Sequence, residues 1–443
     1  MFKKIWLIRS RQLVILAMVG LLAACGSGSG TPNDTLAPEN PPTTPTTPTT
    51  PTTPTTPTTP TTPTTPTTPE VPTTPEVPTT PITPPVAVVG AGELKAAVAL
   101  KTVTAAEIAQ AVAAGEGRAS GFVAVYDVAT YRLEYLTSDA DGQLVRASGL
   151  VSVPVKKAGA KSPVLSYQHA TTFLDAEAPS NNAVASEVSV VLASLGFIVV
   201  APDYVGYGVS KGTPHPYLLG APSGAAVVDF LTATETWRRA NGVLDNGQLF
   251  LTGYSEGGYV TMAAHRAMQL GNSPHLQRLR LVVAGAGPYD VQATMDGLVS
   301  IVRDEVRVLG ALIDPDLLRF LGSSVRRQLR DELLKRLLPG DADVVFDTRF
   351  LDNFLADDKR AVALESSVHN WRPTLPVRLF HGPEDRTVPY ASSFSALQTM
   401  QGLGAGSLVS LTDCTAVPSS HLGCVPDYLV YLLGLLAPVA QDL

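Results

Sequence analysis

The stretch LTGYSEGGY, residues 251–259, places a serine between two glycines. A Gly-x-Ser-x-Gly pattern is common by chance, and it indicates a nucleophile only where a strand precedes it and a helix follows. Here residues 249–251 end a predicted strand, and residues 260–268 are predicted to continue as a helix. The glycines fit a turn too sharp for Cβ atoms. We therefore interpret Ser255 as an exposed nucleophile rather than as a polar residue in a glycine-rich turn.

Strands and helices alternate around this turn. The apolar run LGFIVVAPDYVGYG (195–208) has the pattern of a parallel strand buried on both faces, and a helix is predicted at 221–240. Two earlier strands, at 122–130 and 143–155, are predicted to be joined by a turn, and another begins at residue 162. This alternation predicts a mainly parallel α/β sheet.

Composition limits the classes of function. The chain has 443 residues, of which 45% are hydrophobic and 16% are charged, so it is large enough to bury a substantial core. Its formal net charge of -7 argues against a nucleic-acid partner, because such proteins usually carry a basic patch.

The N-terminus predicts export. Basic residues precede an apolar run at Leu13–Leu22 that is short for a membrane span, so residues 1–24 are interpreted as a signal peptide. The ending Leu-Ala-Ala-Cys resembles the bacterial lipobox, which implies cleavage before Cys25 and lipid attachment to its thiol. An ordinary secretory signal is the alternative. The lipoprotein hypothesis locates the protein in the bacterial cell envelope, at the outer membrane or cell surface.

A low-complexity segment follows. Residues 41–85 repeat Pro-Thr-Thr, a composition that cannot bury a core and favours extended polyproline II. We interpret 25–85 as a disordered linker that carries the lipidated cysteine, and 86–443 as the folded domain. A merely disordered tail is the alternative to a stalk.

The serine needs a base and an acid. In the α/β-hydrolases, whose nucleophile turn this stretch resembles, the acid and then the histidine follow the serine in the chain. Asp385 lies after a predicted strand at 375–380, with Glu384 as the fallback acid, and His421 is the one histidine beyond Asp385. His169, His215 and His381 are interpreted as hydrogen-bonding loop residues.

Catalysis also needs donors for an oxyanion. The backbone N–H of Glu256 is one candidate. The second is expected from the loop YQHATTF (167–173), at His169, Ala170 or Thr171.

Five motifs together resemble the secreted lipase and esterase branch of the α/β-hydrolases over Phe122–Leu436: YQHATT, APDYVGYGVS with HPYL, GYSEGGY, WRPTLPVRLFHGPEDRTVPY and SSHLGC. The resemblance implies that Ser255, Asp385 and His421 form a triad and that 203–208 is a structural turn. Relatives tend to carry glycine where Ala170 stands, which leaves the second oxyanion donor open.

A helical cap is predicted at about 291–372. Its segment 317–338 repeats Val325, Leu329, Leu333 and Leu337 on one face, which favours a helix packed over the active site. Docking of this basic amphipathic helix to a lipid surface is the alternative.

The sequence thus predicts a lipid-anchored serine hydrolase of carboxylic esters with an apolar acyl or alcohol group, needing no metal or organic cofactor. A serine peptidase of the prolyl oligopeptidase type is one alternative, although no propeller repeat precedes the domain. A catalytically inactive binding module is another. Because assigning Cys25 to lipid leaves one pair of cysteines, we also expect a disulfide between Cys414 and Cys424 around the histidine.

Overall fold

The computed structural model of the chain describes residues 88–114, 122–305 and 322–443. The predicted signal peptide, Cys25, the predicted linker and residues 306–321 of the predicted cap lie outside these ranges. Nine strands of the described part form one sheet in the order β1-β2-β3-β5-β4-β6-β7-β8-β9. They are β1 Leu94–Val103, β2 Val128–Ser138, β3 Leu144–Pro154, β4 Ser162–Gln168, β5 Ile198–Pro202, β6 Asp245–Tyr254, β7 Leu279–Gly285, β8 Val377–His381 and β9 Val409–Asp413.

The sheet is mainly parallel, as predicted. Strands β5, β4, β6, β7, β8 and β9 run parallel to one another. Strands β1, β2 and β3 form an antiparallel extension, in which β3 pairs antiparallel with β5. Together with the flanking helices, this arrangement is the α/β-hydrolase fold. Because the carboxyl ends of parallel strands meet at one edge, the loops after β4, β6, β8 and β9 are brought together there.

One strand prediction needs correction at the N-terminal edge of the sheet, and one strand there had no prediction. The strand predicted at 122–130 begins only at Val128, and residues 122–127 form no strand. Strand β1 was not predicted. It is an edge strand whose side chains are mostly exposed, so it lacks the alternation of apolar and polar residues that reveals a half-buried strand.

Helices cover both faces of the sheet. Alternate residues of a strand point to opposite faces, so Leu249 and Leu251 enter one hydrophobic cluster and Phe250 enters the other. Longer helices at Gly220–Ala240 and Glu256–Leu270 supply the first cluster, and Val425–Leu436 supplies the second. The remaining α-helices in the described ranges are Ala105–Ala113, Val188–Ala193, His275–Arg278, Val291–Glu305, Ser323–Leu337, Arg349–Leu355, Lys359–Ala361 and Ala391–Met400.

Only part of the apolar face predicted for the cap helix Ser323–Leu337 is packed against the core. Val325 is 45% exposed, whereas Leu329 and Leu334 pack against the core cluster. Arg330 forms an ion pair with Asp352 of the next helix, which also fixes the orientation of this helix. Within the described ranges, no helix combines the length and apolar character that crossing a bilayer requires.

Candidate active site

The nucleophile turn is as sharp as its sequence predicts. Strand β6 ends at Tyr254 and the next helix begins at Glu256, with Ser255 between them at φ 60° and ψ -126°. This positive φ is uncommon for a residue with a side chain. A Cβ at Gly253 would lie 2.2 Å from the carbonyl oxygen of Gly257, and one at Gly257 would lie 2.0 Å from that of Gln168. Glycine is therefore required at both positions.

The structure brings the predicted base to the predicted nucleophile. His421 Nε2 lies 2.9 Å from Ser255 Oγ, and His421 Nδ1 lies 2.5 Å from Asp385 Oδ2. A carboxylate can only accept, so Nδ1 carries the hydrogen and donates it to Asp385. The other nitrogen, Nε2, is then free to accept the hydroxyl proton of Ser255.

Asp385 is held as a carboxylate. Its Oδ1 accepts hydrogen bonds from the backbone N–H groups of Thr387 at 2.8 Å and Val388 at 2.9 Å. Burial alone would raise the pKa of this carboxyl, but the hydrogen bonds from His381 and His421 outweigh it and lower the pKa to about 2. Asp385 is therefore charged at neutral pH.

His381 is a contact of the acid that sequence analysis missed. Its Nε2 lies 2.9 Å from the carbonyl oxygen of Val388 and 3.2 Å from Asp385 Oδ2, both acceptors, so this nitrogen carries the hydrogen. Its Nδ1 then accepts from Ser393 Oγ at 2.6 Å. The available signal was position, since His381 ends strand β8 four residues before Asp385.

Glu384, the fallback acid, points elsewhere. It is exposed, and its Oε2 accepts a hydrogen bond from the backbone N–H of Ser419 at 2.8 Å. The contact with His421 is made by the neighbouring Asp385. Glu384 therefore joins the acid turn to the histidine loop without taking the acid's position.

A disulfide closes the histidine loop. Cys414 and Cys424 are bonded, as the sequence predicts, with Cα atoms 5.9 Å apart. The N–H of Cys414 also donates to the carbonyl of His381 at 2.8 Å, and Tyr254 Oη donates to the carbonyl of His421 at 2.7 Å. The loop is thus fixed at both ends and at the histidine itself.

The loop after β4 lies against the nucleophile turn, because Gly257 directly contacts Gln168. Within the described part of the chain, the N–H groups of Ala170 and Thr171 make no hydrogen bond. The N–H of Glu256 is the first of its helix, a position with no acceptor inside the helix. These groups are candidate oxyanion donors, and both loop positions stay open for the second one.

Two further side chains fix this loop. The ring of His169 lies with Nδ1 2.9 Å from the carbonyl oxygen of Ala170 and Nε2 3.2 Å from that of Asp203, and Tyr204 Oη donates to the carbonyl of His169 at 3.0 Å. The carboxylate of Asp203 is buried and accepts hydrogen bonds from Ser148 and Ser180. The turn after β5 thus holds the loop after β4 in place.

No group of three or more His, Cys, Asp or Glu residues among the described ones is arranged to hold a metal ion.

Known proteins resemble this chain in the sequence of one segment and in the fold. Residues 178–305, which include Ser255, match the model of the secretory lipase family. The structure is similar to that of a protein described as a hydrolase from Legionella pneumophila (22% identity, TM-score 0.62, covering 78% of this chain and 97% of that one). It is also similar to the rice cell wall degrading esterase LipA from Xanthomonas oryzae (22% identity, TM-score 0.61, covering 80% of this chain and 100% of that one). No curated protein sequence matches significantly.

At these identities the structural neighbours show only the fold, which is that of the α/β-hydrolases. The family match within that fold makes the chain a carboxylic ester hydrolase of the lipase and esterase type, and it indicates export.

Proposed function

We propose that this protein hydrolyses carboxylic esters through a Ser255–His421–Asp385 triad and an acyl-enzyme intermediate. One observation carries the proposal: a single imidazole ring spans Ser255 Oγ and Asp385 Oδ2 at hydrogen-bond distance on both sides. This is the arrangement that lets a serine hydroxyl act as a nucleophile at neutral pH.

In the acylation half-reaction, Ser255 Oγ attacks the ester carbonyl carbon while its proton passes to His421 Nε2. The carbonyl oxygen becomes an oxyanion, which the N–H of Glu256 and one N–H from Ala170 or Thr171 stabilise. When the tetrahedral intermediate collapses, the bond to the alcohol oxygen breaks and His421 gives its proton to that oxygen. Asp385 stabilises the imidazolium that forms between these two transfers.

Water completes the cycle. His421, neutral again, takes a proton from a water molecule as the water oxygen attacks the acyl carbon. Collapse of the second tetrahedral intermediate breaks the bond to Ser255 Oγ, which recovers its proton from His421. The products are a carboxylic acid and an alcohol, and no electron donor or acceptor is required.

The substrate is expected to carry an apolar group. The half-buried ring of Phe346 contacts the half-buried rings of Phe173 and Tyr217 beside the loop after β4, with centroids 5.9 and 5.5 Å away. Tyr217 Oη is 3.4 Å from Thr171 Oγ1, which connects this cluster to the oxyanion loop. Such a surface favours an apolar acyl or alcohol group over a charged one.

The test combines labelling with a substrate panel. Wild-type protein should react with a fluorophosphonate probe and hydrolyse p-nitrophenyl esters. Ser255→Ala should not be labelled, and its esterase activity should fall by at least about a hundredfold. An aminoacyl-proline amide run beside the esters tests the peptidase alternative. Faster cleavage of the amide, or an unlabelled wild-type protein, would overturn the assignment.

We also propose that the exported protein is anchored by lipid on Cys25 and that residues 41–85 act as a spacer. Cys25→Ser should move the protein from the membrane to the soluble fraction. Deletion of 41–85 is the matched control, and it should leave both membrane association and turnover of small esters unchanged. A Cys25→Ser protein that still sediments with membranes would show that another surface is the anchor.

A further inference from the structure

A buried histidine pairs with the residue that follows the nucleophile. Glu256 Oε1 lies 2.7 Å from His215 Nε2, and each side chain is 2% exposed. The second oxygen, Oε2, is buried and has no hydrogen-bond partner among the described residues. In the described structure, one hydrogen bond therefore holds the Glu256 carboxylate, and Glu256 directly follows Ser255 in the chain.

The proton count of this pair follows from its geometry. His215 Nδ1 is 2.9 Å from the carbonyl oxygen of Val205, which can only accept, so Nδ1 carries a hydrogen. One further proton then lies between His215 Nε2 and Glu256 Oε1. Whichever atom holds it, the pair has no net charge.

The tyrosine hydroxyls near Glu256 carry no charge that could balance a carboxylate. Burial raises the pKa of Tyr204, Tyr207 and Tyr217, and each is raised further by Glu256. These hydroxyls are therefore uncharged at neutral pH. Burial also lowers the pKa of His169, although Glu256 opposes that shift. Among the described residues, His215 is the one whose side chain hydrogen-bonds to the Glu256 carboxylate.

We propose that His215 is a positioning residue that cancels the negative charge of Glu256 beside the oxyanion. The backbone N–H of Glu256 is a proposed oxyanion donor, and an uncompensated carboxylate on the same residue would oppose negative charge in the transition state. This inference rests on the proposed function.

The His215 ring is also fixed from the cap side. The backbone N–H of His215 donates to the carbonyl of Val345 at 2.7 Å, and the N–H of Asp347 donates to the carbonyl of His215 at 2.8 Å. The Phe346 ring packs edge-on against His215, with centroids 5.5 Å apart. Substitution at 215 keeps the two backbone bonds, so the effect of the side chain can be tested separately.

The experiment is a double-mutant cycle read as kcat and KM on a p-nitrophenyl ester. His215→Gln should lower kcat by at least about tenfold with little change in KM, since a nearby unit charge in a poorly solvated site is worth that much. Glu256→Gln should cost less. The double variant should recover most of the kcat that His215→Gln loses, because it leaves no buried charge unpaired.

The control is His265→Gln, a buried histidine on the same helix as Glu256 whose ring nitrogens have no partner in the described structure. It should keep kcat near the wild-type value. If His215→Gln does not fold, His215→Asn and its double variant with Glu256→Gln carry the same prediction.

Three results would overturn the inference: wild-type kcat in the folded His215 variant, a double variant no faster than the single one, or an equal loss in His265→Gln. Failure of the proposed function would look different, because wild-type protein would then not hydrolyse esters or Ser255→Ala would remain active.

Discussion

Glu384 and Ser419 share three hydrogen bonds, one of which Ser419 Oγ donates to Glu384 Oε2 at 3.3 Å. Oε2 of Glu384 accepts from the backbone N–H of Ser419 at 2.8 Å, and the backbone N–H of Glu384 donates to Ser419 Oγ at 3.1 Å. Glu384 precedes Asp385, and Ser419 lies two residues before His421. These contacts join the turn that carries Asp385 to the loop that carries His421. They therefore help to set the distance between Asp385 and His421, in addition to the hydrogen bond between those two side chains.

This arrangement predicts different costs for two adjacent carboxylates. Asp385→Asn should lower kcat by up to about 10⁴-fold, because it favours the wrong tautomer of His421. Glu384→Ala should cost only a few-fold, since it loosens the loop while the triad stays complete. Steady-state kinetics on one ester distinguishes them. Ser419→Ala is the companion variant: it removes both contacts of the Ser419 hydroxyl with Glu384 but keeps the backbone N–H of Ser419 that donates to Oε2. A larger loss in Glu384→Ala than in Asp385→Asn would make Glu384 the acid.

Backbone strain at the nucleophile predicts a gain in stability. Ser255 has φ 60° and ψ -126°, a conformation that costs a residue with a Cβ about 1–3 kcal/mol and that glycine adopts freely. Ser255→Gly should therefore raise the free energy of unfolding by about 1 kcal/mol after the added freedom of the unfolded chain is subtracted. Ser255→Ala, which keeps the Cβ, is the matched control and should unfold like wild type. Urea titration that finds the glycine variant less stable than the alanine variant would contradict this.

Acid should weaken the fold through Asp385. Its pKa is about 2 in the folded protein against an ordinary 3.8, so its stabilising contribution is present above pH 4 and is lost as the pH falls toward 2. The shift corresponds to about 2 kcal/mol. Wild type should therefore lose more stability between pH 5 and pH 2 than Asp385→Asn does. Urea unfolding across this range measures it, and Ser255→Ala, which keeps the carboxylate and both histidines, should follow wild type.

The disulfide should stabilise the histidine loop. By the chain-entropy model, closing 11 residues (414 to 424) is worth about 2.8 kcal/mol. The variant with Cys414→Ser and Cys424→Ser should be less stable by roughly that amount and should have a lower kcat. Alkylation of the unreduced domain should find no free thiol. Ready alkylation of both cysteines would exclude the bond, and a fully active and stable double variant would exclude its role.

Much of the fold could be predicted because periodicity reports burial. The strands around Ser255 are buried on both faces and appear as continuous apolar runs, so their positions were predicted to within a few residues. The exposed strand β1 and the partly exposed helix Ser323–Leu337 were missed or misread for the opposite reason. A residue such as Val325 can fit a helical apolar pattern and still face solvent, because periodicity does not say what covers the face.

The residues of the site could also be predicted only in part. Chain order and position at strand ends predicted Ser255, Asp385 and His421 as site residues. The structure places these three side chains together. The contacts that support them were not predicted. His381 on the acid and His215 on Glu256 depend on which side chains face each other across different loops, and spacing along the chain carries no such information.

The close approach of Gly257 to Gln168 also limits how this enzyme can diverge. With only 2.0 Å between a Cβ at 257 and the Gln168 carbonyl oxygen, no natural side chain fits there without moving the backbone. New substrate preferences should therefore arise by changes at Thr171, Phe173 and Phe346, in and beside the loop after β4. Selection from a random library should recover altered specificity at those positions and leave position 257 unchanged.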